Sequence, residues 1–418
     1  MEQASRSQCP VTGLTQRYDP MTAPQLDDPF PVWARAREEE PVFYSRVLGA
    51  WVVTRYEDVI EVLRDPGTFG PGVERKMFGD THPEVLAILA RLPRLEDTKA
   101  HSAEPPVHTK LRRYLQPALM PRRVASLEPT LRDMANSLVD GFQRHGRGDF
   151  YHDYAYRFPL LVVCHLLGLP DVDHGRIRDW ADRQHQFRYT EMSLTDQLIA
   201  AQAQLDAFAY NLDLVARRRA CPGDDLLSWI IEDSDRSDDP LSEEQLASQV
   251  TSMLTAGHET SSHFLTLLLR RVLGEHGLWQ SIVADPSRGP AIVEESLRLD
   301  GPVQSLWRRA KADAVVGGVP MPAGARLSLV LPSANRDPAE FDAPANFRLD
   351  RANVGHHIAF GRGIHTCLGA GVARLESWIT LDVLARRLPE LRLAADDGLL
   401  FKPSATQRQA QRLYVEWA

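Results

Sequence analysis

Near the C-terminus the residues Phe360-Gly361-Arg362-Gly363-Ile364-His365-Thr366-Cys367-Leu368-Gly369 form a glycine-punctuated loop that delivers one cysteine to the start of a helical stretch. Loop amides and a helix N-terminus both favour the ionised form of a thiol placed there. A thiolate presented in this way is a ligand. It can hold a haem iron from one side, or join His356, His357 and His365 around zinc. It can also be an ordinary buried thiol, the default for a free cysteine. Structural zinc sites carry paired C-x-x-C or H-x-x-x-H spacings, whereas this stretch has a single cysteine and irregularly spaced histidines.

A second run, Ala256-Gly257-His258-Glu259-Thr260 followed by Ser261 and Ser262, lies inside what the pattern predicts to be one long helix. Ser242 with Gln245 is a capping-box signature, and Leu241 with Leu246 is placed for a hydrophobic staple. Leu246, Val250, Met253, Leu254, Phe264, Leu265 and Leu268 recur at helical spacing until Gly274 offers a stop. At 1.5 Å per residue such a helix is roughly 45 Å long. Glycine and small hydroxyls weaken a helix interior, and an acid in an apolar helix needs a reason. A carboxylate beside a hydroxyl can pass protons, directly or through water. The other reading of the run is a polar kink facing solvent or another helix.

Residues 41–54 and 315–331 read as strand-rich, with Trp51-Val52-Val53-Thr54 and Val315-Val316-Gly317-Gly318-Val319 as their clearest pieces. The chain between them is helical in pattern, so the expected fold is mainly α with small β-sheets. No linker or repeat divides it, which predicts a polar segment over 1–24 and a single large domain over 25–418. A helix over Ala291–Leu299 puts Glu295 and Arg298 on one face. Exposed pairs of that kind contribute little, and Glu294 offers Arg298 an alternative partner at i,i+4.

With 43% hydrophobic and 25% charged residues in 418, the chain has ample material for a large core. Cys9, Cys164, Cys221 and Cys367 are too scattered for a disulfide framework, which suits a reducing cytoplasm. Met1 to Pro24 lacks the apolar centre of a signal peptide, and the near-apolar run Phe158–Leu167 is too short to span a bilayer, so no membrane association is expected. The net charge of −8 is uneven: Asp224–Glu244 is acid-rich, while His108–Arg123 holds Lys110, Arg112, Arg113, Arg122 and Arg123 without an acid. Such a patch fits an acidic partner or a solvated face. Nothing in the chain resembles a nucleic-acid-binding module.

Taken together, the two runs and the Glu-x-x-Arg pair resemble the cytochrome P-450 monooxygenases of the soluble bacterial type, from Phe43 to Glu376 and in the family's motif order. The resemblance implies haem b (iron protoporphyrin IX) with Cys367 as the iron ligand, in a loop to which Phe360, Gly361 and Gly369 belong. It implies Ala256 and Gly257 beside the haem, and Glu259 and Thr260 as the proton-handling pair. His108 and Arg112 (as H-x-x-x-R), Arg308 and His365 would contact the propionates, and Arg351 would join Glu295 and Arg298. The implied reaction inserts one oxygen atom of dioxygen into a small organic substrate. Two alternatives are a peroxide-driven peroxygenase and a non-catalytic haem sensor; the retained Glu259-Thr260 pair disfavours both. The chain ends soon after Arg412-Leu413-Tyr414-Val415, so electrons are expected from a ferredoxin or flavodoxin type donor with its reductase. Substrate-facing segments would include Gly72–Ala100 and Arg183–Leu205, which mix Met77, Phe78, Leu86, Phe187 and Tyr189 with Arg75, Lys76, Arg183 and Arg188.

Overall fold

Strand-forming stretches from opposite ends of the chain meet in one sheet. In the computed structural model, which describes residues 13–72, 80–170 and 173–418 and leaves the Tyr189 side chain aside, the five strands run in the order Val42–Ser45, Ala50–Val53, Arg326–Val330, Ser305–Ala310, Phe69–Pro71. Ala50–Val53 and Arg326–Val330 pair in parallel, with Trp51 opposite Leu327 and Val53 opposite Leu329. The two strand-rich regions of the sequence therefore share a sheet, joined by backbone pairing rather than by proximity in the chain. Val53, Phe69, Leu327 and Leu329 pack with Val59, Ile60, Val62 and Leu63 of the helix Tyr56–Arg64. That helix is amphipathic, with Glu57 and Asp58 in its first turn and Arg64 in its last, in accord with its dipole.

This sheet belongs to one of two compact units, built from residues 1–72, 303–366 and 401–409. Leu14 and Tyr18, in the segment that reads as polar, are buried in it. Tyr18 meets Phe43 edge-on at 5.3 Å and accepts a 3.2 Å hydrogen bond from Trp33 Nε1. The second unit, residues 73–302, 367–400 and 410–418, is almost wholly helical. None of the helices among the described residues is long and apolar enough to cross a membrane.

The second unit is organised by the helix Glu243–Gly274. Its capping box forms as the sequence predicts: Gln245 N–H donates to Ser242 Oγ and Ser242 N–H to Gln245 Oε1, each at 3.1 Å. The helix assignment runs unbroken through Ala256–Ser262. Its buried hydroxyls are satisfied locally, Ser262 donating to the carbonyl of His258 at 2.8 Å and Thr266 to that of Ser262 at 2.9 Å. Helices Arg157–Leu166, Leu194–Ala220, Gly289–Asp300 and Ala370–Arg387 pack around it.

Glu295 and Arg298, on the helix Gly289–Asp300, form a fully buried fork: Nε to Oε2 at 2.8 Å and Nη2 to Oε1 at 2.6 Å. Loss of either partner would leave an uncompensated charge in the interior, at a cost of about 3–5 kcal/mol. Glu294 does not take the i,i+4 partner open to it. It pairs with Arg374 of the helix Ala370–Arg387, at 3.0 Å for one nitrogen–oxygen contact.

Glu376, on that same C-terminal helix, is buried beside Ser261, whose hydroxyl hydrogen-bonds its carboxyl. Its Oε2 has no partner among the described residues. Burial raises its pKa from the ordinary 4.5 to about 8, and the Ser261 hydrogen bond offsets this only in part. The folded protein thus keeps this proton while the unfolded chain loses it above its ordinary pKa. Each rise in pH between those two values favours the unfolded state, and the penalty levels off above the folded pKa. The isosteric Glu376→Gln change removes the effect. Its melting temperature relative to wild type should climb by at least about 2 °C between about pH 5 and about pH 8, then stay level. A difference independent of pH in calorimetric scans would mean that Glu376 is ionised in the folded state.

Candidate active site

The glycines of the cysteine loop answer first to the protein itself. Gly363 has φ +77°, and a Cβ there would stand 2.3 Å from the carbonyl oxygen of Leu63, at the end of the helix Tyr56–Arg64. Gly361 has φ +69°, with Leu306 Cδ1 3.2 Å from its hypothetical Cβ. The turn Gly363–His365 closes through Thr366, whose N–H and hydroxyl both donate to the Gly363 carbonyl, at 3.1 and 2.8 Å. Phe360 tilts against the His357 ring, 6.1 Å away.

Cys367 is accessible to solvent, yet protein crowds its sulfur closely. Desolvation pushes its thiol pKa above the ordinary value, while the N–H groups of Gly369 and Ala370 and the guanidinium groups of Arg112 and Arg374 pull it down. Gly369 precedes the helix Ala370–Arg387, so these amides are the unpaired donors of a helix start. Arg112 sits one turn after buried His108 on the helix Val107–Ala118. Burial lowers the pKa of Arg112, and the Cys367 sulfur counters that shift. The structure therefore turns Arg112 toward the sulfur.

In the first unit, Arg308 on the strand Ser305–Ala310 is 7% exposed. It donates to the Trp307 carbonyl at 2.8 Å and, among the described residues, meets no carboxylate. Burial alone lowers its pKa to about 10. A buried guanidinium in this state calls for an anion, and a haem propionate supplies one. His365 lies in the turn just before the cysteine. Arg351 donates to the carbonyls of Asp342, at 2.6 Å, and Asn346, at 3.2 Å. The sulfur among amides and guanidinium groups has the setting a haem-iron ligand requires, and Arg308, in its own unit, is a buried cation suited to a carboxylate such as a propionate. Zinc finds no such support: His356 pairs with Glu340 at 2.6 Å, and no cluster of three or more candidate ligands occurs among the described residues.

On the long helix, Thr260 donates its hydroxyl to the Ala256 carbonyl at 2.7 Å, leaving its oxygen as an acceptor. A Cβ at Gly257 would lie 3.5 Å from Val163, an ordinary contact, so packing on the helix Arg157–Leu166 does not by itself demand glycine. Glu259 forms a close ion pair with His185 of the helix His174–Tyr189. The sequence gives little sign of His185, which lies at the margin of the short apolar stripe Ile177, Trp180 and Ala181 on a helix otherwise rich in polar residues. Glu376 was more accessible to reading, since it shares a helix face with Val372 and Ile379.

Two residues of the expected substrate-facing segments have partners within the protein. Phe187 is fully buried against Val85, Leu89, Ala200 and Ala201, and Arg183 pairs with Asp179 at 2.7 Å. Arg75, Lys76, Met77 and Phe78 lie outside the described residues. The basic stretch is partly neutralised, with Lys110 bound to Asp239 at 2.5 Å and Arg123 lying over the Trp229 ring at 4.5 Å. Arg113, whose Nη2 also lies 4.0 Å from Asp239 Oδ2, and Arg122 remain exposed.

Comparison with known proteins is consistent throughout. The family model for cytochrome P-450 matches residues 290–388. Cytochrome P-450 107B1 of Saccharopolyspora erythraea is 35% identical, covering 92% of this chain and 93% of its own length. The vitamin D(3) 25-hydroxylase of Pseudonocardia autotrophica is 33% identical over 97% of this chain and 98% of its own. Among solved structures, the haem domain of the Tepidiphilus thermophilus P-450 superposes with TM-score 0.91 at 32% identity, covering 97% of both chains. An intact type IV self-sufficient P-450 monooxygenase reaches TM-score 0.92 at 33% identity over 98% of this chain and 54% of its own. With the fold, the thiol loop and the relatives in agreement, this chain belongs to the cytochrome P-450 family and is a monooxygenase whose cofactor is haem b.

Proposed function

We propose that Cys367 is the thiolate ligand of the haem iron and that Glu259 and Thr260 handle the protons of the reaction. The observation that carries this reading is the accessible Cys367 sulfur facing the Gly369 and Ala370 amides and the Arg112 and Arg374 guanidinium groups. Phe360, Gly361 and Gly369 shape the loop. Ala256 and Gly257 line the haem on the long helix, and His108, Arg112, Arg308 and His365 hold the propionates. Bound haem with a thiolate ligand supplies dioxygen activation and the transfer of one oxygen atom to a small organic substrate. The chain's own contribution is to hold that thiolate, neutralise the carboxylates and meter protons. Reductive cleavage of dioxygen consumes two protons, and the Thr260 oxygen, free to accept, stands beside an acid that can resupply it. The catalytic domain spans 25–418, with Leu14 and Tyr18 of the preceding segment packed onto it. The enzyme works in the cytoplasm.

Electrons come from an acidic ferredoxin or flavodoxin type donor with its reductase. The donor docks on the face carrying Arg113, Arg122 and Arg123, where positive charge remains after Asp239 has taken Lys110.

Three outcomes test this reading. Reduced protein under carbon monoxide shows the red-shifted Soret band of thiolate ligation, and Cys367→Ala abolishes it; a purified variant that kept the band would remove Cys367 from the iron. Thr260→Ala retains the substrate-induced spectral shift while product per reductant consumed drops at least about tenfold and peroxide rises, the loss expected for one proton-transfer group. An unchanged product yield would take Thr260 out of the proton path. Reduction by the acidic donor slows several-fold as salt rises from about 50 to about 300 mM, because the screening length shortens over that range. Arg113→Glu with Arg122→Glu reproduces the loss at low salt, and a rate indifferent to both salt and charge reversal would leave the patch a solvated face.

A further inference from the structure

Glu259 is held by a residue that its own sequence run does not supply. Its Oε2 meets Nδ1 of His185 in a close ion pair, and each side chain is only 12% exposed. Two neighbouring contacts arrange this pairing. His258 is buried and its Nε2 lies 2.9 Å from the Tyr156 carbonyl oxygen, which fixes the rotation of the long helix at this level. Burial holds the His258 pKa below its ordinary value, so the neutral ring donates through Nε2 and is no rival cation for Glu259. Asp182 accepts a 2.5 Å hydrogen bond from the Tyr156 hydroxyl.

We propose that His185 is the positioning residue of Glu259: its imidazolium holds the carboxylate in place against the helix His174–Tyr189, and loss of that charge lets the carboxylate swing away. The proposal rests on the reading of Glu259 as a proton-handling acid. A carboxylate with only 12% of its side chain exposed is stabilised by a cation beside it. Arginine would keep its charge at every working pH, whereas histidine changes charge within the physiological range. Where that charge is what holds Glu259, proton handling weakens as pH rises.

The other groups around the pair do not replace it. From its own helix come Asp182, already bound, and Arg178, which is exposed. Tyr151 and Tyr156 face it from residues 151–156, both pushed above the ordinary tyrosine range first by burial and therefore neutral. On the helix Arg157–Leu166, Arg157 and His165 are exposed. On Leu194–Ala220 the acids Asp196, Asp206 and Asp213 bond to Ser193, Gln202 and Arg217.

The test uses holoenzyme carrying His185→Gln, His185→Arg, Glu259→Gln, or His185→Gln with Glu259→Gln. Product per reductant is followed from about pH 6 to about pH 9, the span over which an imidazole loses its charge. Melting temperature of the ferrous carbonyl form provides a readout independent of turnover. In wild type the yield falls as pH rises. His185→Gln lowers it several-fold at the acid end and flattens the profile, while His185→Arg restores the acid-end yield and holds it across the range. Melting losses of the two glutamine variants combine to less than their sum, as for residues in contact. Additive melting losses overturn the pairing. If Glu259→Gln uncouples the enzyme but both His185 variants follow the wild-type profile, the positioning role is wrong and the reading of Glu259 stands. If Glu259→Gln keeps the wild-type yield, that reading fails and takes the proposal with it.

Discussion

A thiol crowded by protein resists ionisation, and the surroundings of Cys367 are arranged around that conflict. Desolvation raises its pKa; the amides of Gly369 and Ala370 and the charges of Arg112 and Arg374 oppose it. Each of those groups is held by something further out. The amides belong to the start of Ala370–Arg387, Arg374 is braced by Glu294 on Gly289–Asp300, and Arg112 is fixed by the helix that also buries His108. The helix Gly289–Asp300 also carries the buried fork of Glu295 and Arg298, formed within the helix itself. A weakly solvated sulfur therefore has its electrostatic support distributed over helices distant in sequence, which is why neither the loop nor its cysteine could act as an isolated motif.

The long helix meets a related demand by a different route. Ser262 and Thr266 satisfy themselves on carbonyls one turn back, so they cost the surrounding core no partner. Thr260 does the same at 2.7 Å, but on a partly accessible part of the helix, where its oxygen is still able to accept. The same local bond is structural at one position and leaves a usable acceptor at another. Burial decides which.

Features governed by local chemistry were legible in the sequence. The Ser242–Gln245 box placed the helix start, Gly274 marked its end, and the Glu295–Arg298 spacing located a pair whose burial only packing could reveal. Features governed by long-range pairing were not. Nothing in Trp51-Val52-Val53 announces a parallel partner at Leu327–Leu329, because strand pairing depends on distant backbone. The need for glycine at 363 was not legible, since the Leu63 carbonyl that excludes a Cβ there comes from the far end of the chain. His185 left little signal because it stands beside, not within, the stripe of Ile177, Trp180 and Ala181 that marks the inward face of its helix. Lys110 and Asp239 each counted toward opposite charged stretches in the sequence, and only their contact shows that the stretches partly cancel.

Two carboxyls flank the hydroxyl-rich part of the long helix, and the fold treats them in opposite ways. Glu259 is given a cation, His185, at the edge of solvent, whereas Glu376 is given only the Ser261 hydroxyl and burial that raises its pKa to about 8. An acid held protonated at neutral pH can donate a proton but cannot begin as a base. A paired carboxylate at the solvent edge can accept one and be recharged from outside. On the reading proposed above, the repeated uptake of protons falls to Glu259. Its partner on a separate helix, rather than the apolar packing of its own, sets where that carboxylate stands.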